Sequence, residues 1–256
     1  MIEIREVEKT YRRLDGGQVR ALEPVSLTIR EREFVSLVGP SGCGKTTLLM
    51  MIAGLIPPSS GEIRLRGRRL DGPSREIAVV FQSPVLLPWR RVLANLTLPI
   101  DVLGLQPRSH YVARARELLR LVGLEGFEQA YPRELSGGMQ QRAAIARALV
   151  AESSCLVMDE PFGALDAMTR EEMNAELLRI WEVSGRAIVF VTHNIPEAVL
   201  LSDRVVVMSH RPGRILEVLD IDLPRPRDFS LLGDRRFGAL ANAIRSLLST
   251  RSTVIS

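Results

Sequence analysis

What this sequence lacks narrows it first. It has two cysteines, Cys43 and Cys155. One sits in a glycine-rich loop and the other in an apolar run, so no disulfide framework is expected. Cys155 reads as a small core hydrophobe. No stretch is long and uncharged enough to cross a bilayer. Met1-Ile2-Glu3-Ile4-Arg5-Glu6 is charged from the start and has no apolar signal core, which points to a cytosolic chain. Neither sign of charge dominates: 34 basic against 30 acidic residues leave +4. That excess is too mild to predict nucleic-acid binding; a mixed-charge solvated surface accounts for it. There is no internal repeat and no low-complexity segment. What remains is 46% apolar, enough to fill the core of one large domain or of a domain with a subdomain.

The stretch that is present and organises the rest is Gly39-Pro40-Ser41-Gly42-Cys43-Gly44-Lys45-Thr46-Thr47. Phe34-Val35-Ser36-Leu37-Val38 leads in as a strand, and Leu48-Leu49-Met50-Met51-Ile52-Ala53 leads out as a helix. Strand, glycine loop and helix together make the context of a phosphate-binding loop. Glycines let successive N–H groups face one point, and the helix start adds its positive dipole end. Lys45 can reach β- and γ-phosphates, and the Thr46 hydroxyl can hold Mg²⁺. Cys43 lies beside Lys45 and a helix start, so thiolate character is expected there, and alkylating it is expected to block nucleotide binding.

Along the chain, residues 2–8 read as a strand ending near Tyr11, and Asp15-Gly16-Gly17 reads as a hairpin turn into one or two strands over Val19 to Ile29. Residues 54–61 are a loop and Glu62 to Arg66 a half-wet strand. Ile77 to Phe81, Ser154 to Met158 and Ala187 to Thr192 are unbroken apolar runs, the pattern of buried strands. From Arg91 to Leu149 the texture is helical: Arg91 to Leu103, Ser109 to Val122, and a helix opened by Ser136. A helix over about 167–183, a short one over Pro196 to Leu201, strands over Arg204 to Met208 and Arg214 to Ile221, and an amphipathic helix over Leu232 to Leu248 complete the chain. Alternating strands and helices imply an α/β fold with a mostly parallel sheet.

Four polar features stand where buried strands stop: Gly39, Gln82, Asp159-Glu160 and His193. In parallel sheets ligands bind at the carboxyl ends of strands, so one crevice can collect them. Asp159 suits a grip on Mg²⁺, and Glu160 can take a proton from an attacking water. An ordinary helix cap is the other reading of that pair. Gln82 can orient water, contact Mg²⁺ or simply end its strand. His193 has no His or Cys at metal spacing, and on its own reads first as a structural histidine.

Leu135-Ser136-Gly137-Gly138-Met139-Gln140-Gln141-Arg142 resembles the signature motif of ABC-type ATPases. The resemblance extends in family order to the loop at 39–47, Gln82, Val157-Met158-Asp159-Glu160-Pro161, Ala164-Leu165-Asp166 and Thr192-His193. It spans roughly residues 11 to 193, and the texture continues to about 221. It implies a P-loop NTPase: a mostly parallel sheet core, an N-terminal antiparallel β subdomain and a helical subdomain inserted at about 90–150, within an ATPase domain 1–223 followed by a tail 224–256. It implies ATP with Mg²⁺ held by Thr46, Gln82 and Asp159. Tyr11 then stacks on adenine, Glu160 is the general base, and His193 holds the γ-phosphate and water. Asp166 lies at a dimer contact. Ser136 caps a helix start whose Gly137 and Gly138 expose N–H groups to the γ-phosphate of a second copy's ATP, so two chains pair head to tail. For Tyr11 a core aromatic at a strand end remains an alternative.

The run Ser83-Pro84-Val85-Leu86-Leu87-Pro88-Trp89-Arg90-Arg91-Val92-Leu93-Ala94-Asn95-Leu96 resembles the importer type, most narrowly the nitrate/sulfonate/taurine transporter ATPases; the runs 161–170 and 204–215 resemble the same group. That resemblance implies a peripheral subunit on the cytoplasmic face of the inner membrane. Its partners are permease subunits and, indirectly, an extracytoplasmic solute-binding protein. The apolar cluster Val85 to Trp89 either docks a short permease helix or packs inside the helical insert. One departure is Asn194, where the family often has Asp; altered tuning near His193 is expected. The sequence lacks the long C-terminal regulatory domain of the sugar-importer branch. A soluble ABC ATPase acting on nucleic acid or ribosomes is the second reading, but long coiled-coil inserts or tandem halves are not seen. A P-loop small-molecule kinase would explain residues 39–47 and leave 135–142 unexplained.

Overall fold

The structure is a computed structural model that describes residues 1–163 and 165–249; Ala164 and the last seven residues of the expected tail lie outside the described residues. In chain order the elements are β1 (Ile2–Arg12), β2 (Gln18–Ile29), β3 (Phe34–Val38), α1 (Lys45–Ile52), β4 (Ser60–Leu65), β5 (Arg68–Arg69), β6 (Ile77–Val80), α2 (Val92–Leu96), α3 (Leu98–Leu103), α4 (Arg108–Leu121), α5 (Gly137–Val150), β7 (Cys155–Asp159), α6 (Ala167–Ser184), β8 (Ala187–Val191), α7 (Ile195–Leu201), β9 (Arg204–Met208), β10 (Ile215–Asp220) and α8 (Arg235–Ser249). They form two compact units, Met1–Ser74 with Gly185–Ser256, and Arg75–Ser184.

The first unit holds an antiparallel sheet in the order β2-β1-β4-β5. Its opening hairpin turns where the glycine pair predicts: Arg13 N–H bonds Gly17 O at 2.7 Å, with Gly16 at φ +83°. One continuous strand, β2, follows. The same unit pairs β3 in parallel with both β8 and β9, and β10 antiparallel to β9. Every residue of β3 and of β8 is buried, as their apolar runs require. α1 is a short helix with Leu48, Leu49, Met51 and Ile52 all buried. In the tail, α8 buries Phe237, Ala241 and Ile244 on one face.

The second unit pairs β6 and β7 in parallel and carries α2 to α6. Two sequence expectations change here. The apolar run 91–103 is two helices, because Pro99 fits only a first turn and a new helix starts around it at Leu98. β7 is fully buried, but Ala78 and Val79 of β6 are only half-buried. Within its unit β6 pairs with β7 alone, and composition does not show how much of a strand its neighbours cover.

Candidate functional site

In the first unit, β3 delivers the chain into the loop 39–47. Gly42 and Gly44 take left-handed φ of +72° and +102°, which bend the loop into a cradle before α1 begins. Lys45 is folded inward and 5% exposed. Its Nζ donates to Gly39 O and Pro40 O, each at 2.8 Å, so the ammonium is held at the cradle's floor. Ser41, Gly42 and Thr46 lie exposed at the rim. Tyr11 comes from β1 to the start of α1: its hydroxyl is 3.4 Å from Thr47 Oγ1. The ring is 40% exposed, with Lys9 Nζ 5.3 Å from its centre. Tyr11 is therefore not a core aromatic, and its ring is partly exposed beside the loop 39–47.

His193 leaves β8 at the same edge. Leu37 pairs with Val191, and Thr192 N–H bonds Leu37 O at 3.3 Å, so the loop and His193 exit from adjacent strand ends. His193 itself is exposed. Its neighbours are tightly fixed. Thr192 Oγ1 accepts from Asn194 N–H at 3.0 Å and donates to the buried Glu197 carboxylate. Asn194 Oδ1 caps α7 by accepting from Glu197 N–H at 3.1 Å. The amide at this position thus keeps the cap that a carboxylate would make.

In the second unit, Val80 pairs with Met158, so Gln82 and Asp159-Glu160 leave adjacent strand ends. Gln82 is exposed and Asp159 buried. Glu160 is half-buried and sits at φ +43°, a left-handed conformation that costs a non-glycine residue about 1–3 kcal/mol. The turn that holds it there closes with Gly163 N–H on Glu160 O at 3.1 Å. Ser136 caps α5 as predicted, accepting from Met139 N–H at 3.3 Å, and Gly137 is exposed in the first turn. Asp166 caps α6: Thr169 N–H donates to its Oδ1 at 3.0 Å, and that bond holds the carboxyl below the usual aspartate range.

Cys43 departs from expectation. Its side chain is fully buried under the loop, and burial pushes the thiol above its ordinary value despite Lys45 nearby. It can face a phosphate only through its backbone. Cys155 is buried as expected, and burial pushes its thiol up to about 12.

Several supports of the site left no spacing signal. A Cβ on Gly213 would stand 1.9 Å from Cys43 O, so the turn before β10 can press on the phosphate loop only as glycine. Glu197, Asn95 and Arg147 fix neighbouring segments through bonds to a side chain or to backbone carbonyls. Among the described residues no group of three or more His, Cys, Asp and Glu is arranged to hold a metal.

A family model described as ABC transporter matches residues 22–163. The chain is 51% identical over 214 residues to an uncharacterized ABC transporter ATP-binding protein of Methanocaldococcus jannaschii, covering 84% of this chain and 80% of that one. It is 48% identical over 240 residues to a taurine import ATP-binding protein of Rhizobium johnstonii, covering 91% and 90%. Its fold matches a dimeric ATP-binding cassette in a post-hydrolysis state bound to ADP and phosphate, with TM-score 0.77 and 32% identity over 88% of this chain and 100% of the other.

Proposed function

The chain belongs to the ABC transporter family as an ATP-binding, ATP-hydrolysing subunit that energises import, and from that premise we propose how its residues divide the work. One observation carries the proposal. A single chain presents two helix starts with glycine at or next to the first turn, α1 with Lys45 and α5 with Ser136, Gly137 and Gly138, and such starts suit phosphate.

Lys45 and the N–H groups of residues 39–47 hold the β- and γ-phosphates, and Tyr11 stacks on the adenine. Ser136, Gly137 and Gly138 take the γ-phosphate of ATP held by a second copy, with Asp166 at the contact between the copies. Glu160 accepts the proton of the attacking water as its oxygen bonds phosphorus and ADP leaves. Gln82 orients that water, and His193 holds it with the γ-phosphate. Thr46, Asp159 and the Gln82 amide are the groups suited to Mg²⁺, which neutralises phosphate charge when bound.

The exposed Val85 and Trp89, at 56% and 71%, support docking over internal packing for their loop. They fit a short permease helix. No helix among the described residues is long and apolar enough to cross a membrane. A peripheral place on the cytoplasmic face, held by the permease, follows from that docking. The solute is a small one of the nitrate, sulfonate or taurine kind, delivered to the permease by a solute-binding protein outside the membrane. Trp89→Ala should cut permease-stimulated turnover and leave nucleotide affinity unchanged; unaltered coupling and transport would defeat the docking assignment.

Glu160→Gln tests the chemistry. Turnover should fall on the order of 10²–10⁴-fold while ATP binding persists. Unchanged turnover would remove Glu160 from the role of base.

A further inference from the structure

The loop between β6 and α2 carries Gln82 at one end and Trp89 near the other. Side chains of two helices in its own unit hold it. Gln141 of α5 donates Nε2 to Phe81 O at 3.1 Å. Further along α5, Arg147 donates Nη1 to Val85 O at 2.8 Å and Nη2 to Pro84 O at 3.3 Å. From α2, the buried Asn95 accepts from Leu87 N–H at 2.7 Å. Its Nδ2 donates to the carbonyls of Leu87, Arg90 and Arg91 at 3.1, 2.9 and 3.2 Å. The far half of the loop is thus tied to α2 and the near half to α5.

The near half is also strained. Val85 sits at φ +45°, a conformation rare for a β-branched side chain and worth about 1–3 kcal/mol. Such a residue persists only where its surroundings over-determine it. Arg147 does this by gripping the carbonyls on either side of the Val85 Cα with a rigid planar fork, a fixed geometry that a flexible ammonium does not impose. The guanidinium is partly taken out of water to reach them, and burial lowers its pKa from the ordinary value.

α5, capped by Ser136, runs 14 residues, about 21 Å, from Gly137 to Val150. One continuous helix therefore joins the Ser136–Gly138 phosphate contact to the base of the Trp89 loop. We infer that Arg147 is the positioning residue through which α5 carries capture of the partner's ATP into the conformation of the Trp89 loop. The inference rests on the reading of Ser136 to Gly138 as a phosphate contact. It does not depend on what Trp89 docks.

The chain has two tryptophans, Trp89 and Trp181. In a Trp181→Phe, Glu160→Gln protein, Trp89 is the one tryptophan emitter and bound ATP is left intact. Adding MgATP should shift its emission in step with dimer formation on size exclusion. Arg147→Gln should shrink that shift at least fivefold, with affinity for a fluorescent ATP analogue unchanged within about twofold. Arg147→Lys, which keeps the charge but lacks the rigid planar fork, should recover only part of it; this variant carries the test if the glutamine chain does not fold. With Glu160 restored, Arg147→Lys should retain basal ATPase activity. A full shift in both Arg147 variants would overturn the inference. So would a parent protein that dimerises with ATP and shows no shift. Failure to dimerise at all would overturn the phosphate role of Ser136 to Gly138 and the inference with it, and size exclusion separates that result from the other two.

Discussion

The two glycine-bearing helix starts proposed to meet phosphate are built differently. Before α1, Gly39 and Gly44 are enclosed by their own chain, while Gly42 between them has open space and only a left-handed φ to account for it. A Cβ on Gly44 would meet Leu22 Cδ2 at 2.7 Å and Ala21 O at 3.0 Å, and one on Gly39 would meet Cys43 Sγ at 2.9 Å and Met208 O at 3.1 Å. The residue before the helix is left-handed, and Lys45 is already satisfied by loop carbonyls. At α5 the cap is a serine side chain, and a Cβ on Gly137 would meet nothing within 4 Å. Gly39 and Gly44 are glycines because the fold leaves no room for anything else. The fold makes no such demand on Gly137, which is what the proposed approach of a phosphate held by another copy would require.

The sharpest way to break this comparison is to damage each start and ask which property fails. Lys45→Ala should have the largest effect, lowering ATP affinity about 10²–10³-fold through loss of two or three charge-assisted hydrogen bonds; equilibrium binding measures it. Gly137→Ala should leave the melting temperature within about 2 °C, since the added methyl has open space, and yet cut turnover ten- to a hundredfold. Gly44→Ala should do the reverse of that, destabilising the fold by about 1–3 kcal/mol through strain and the Leu22 clash, visible as a melting shift of several degrees. If the two glycine variants lost stability equally, the contrast would be gone. Cys43 gives the smallest effect. Its raised pKa leaves less thiolate at pH 8 than an ordinary cysteine has, so alkylation by iodoacetamide should be slower than for a free thiol and should speed up only when the fold opens. Labelling as fast as an exposed cysteine would show the loop to be open.

Much of this arrangement was legible from residue order. The strand–glycine–helix passage at 34–53, the Ser136 cap and the polar residues at strand ends are local patterns, and local patterns survive in a sequence. What stayed hidden was long-range. Cys43 looks reactive by its neighbours and is inert because β3, the loop and the turn at Gly213 close over it. Arg227 reads as one more charge in a Pro- and Arg-rich tail. In the structure it is buried and donates to the carbonyls of Ser202 at 2.6 Å, Ile221 at 2.9 Å and Leu223 at 3.0 Å, fastening the tail to the end of α7. A guanidinium bound to backbone carbonyls needs no particular partner residue and leaves no motif. Arg147 and Asn95 were invisible for the same reason. The partial exposure of Ala78 and Val79 in β6 leaves no mark in the sequence, because a half-covered strand can be as apolar as a covered one.

The central claim is that the loop at Gly39 to Thr47 is half of a catalytic site, and the dependence of ATPase rate on protein concentration tests it most directly. At saturating MgATP, activity per chain should rise steeply with concentration and level off where size exclusion shows a dimer. Activity per chain that stays constant down to concentrations where the protein is monomeric would contradict it.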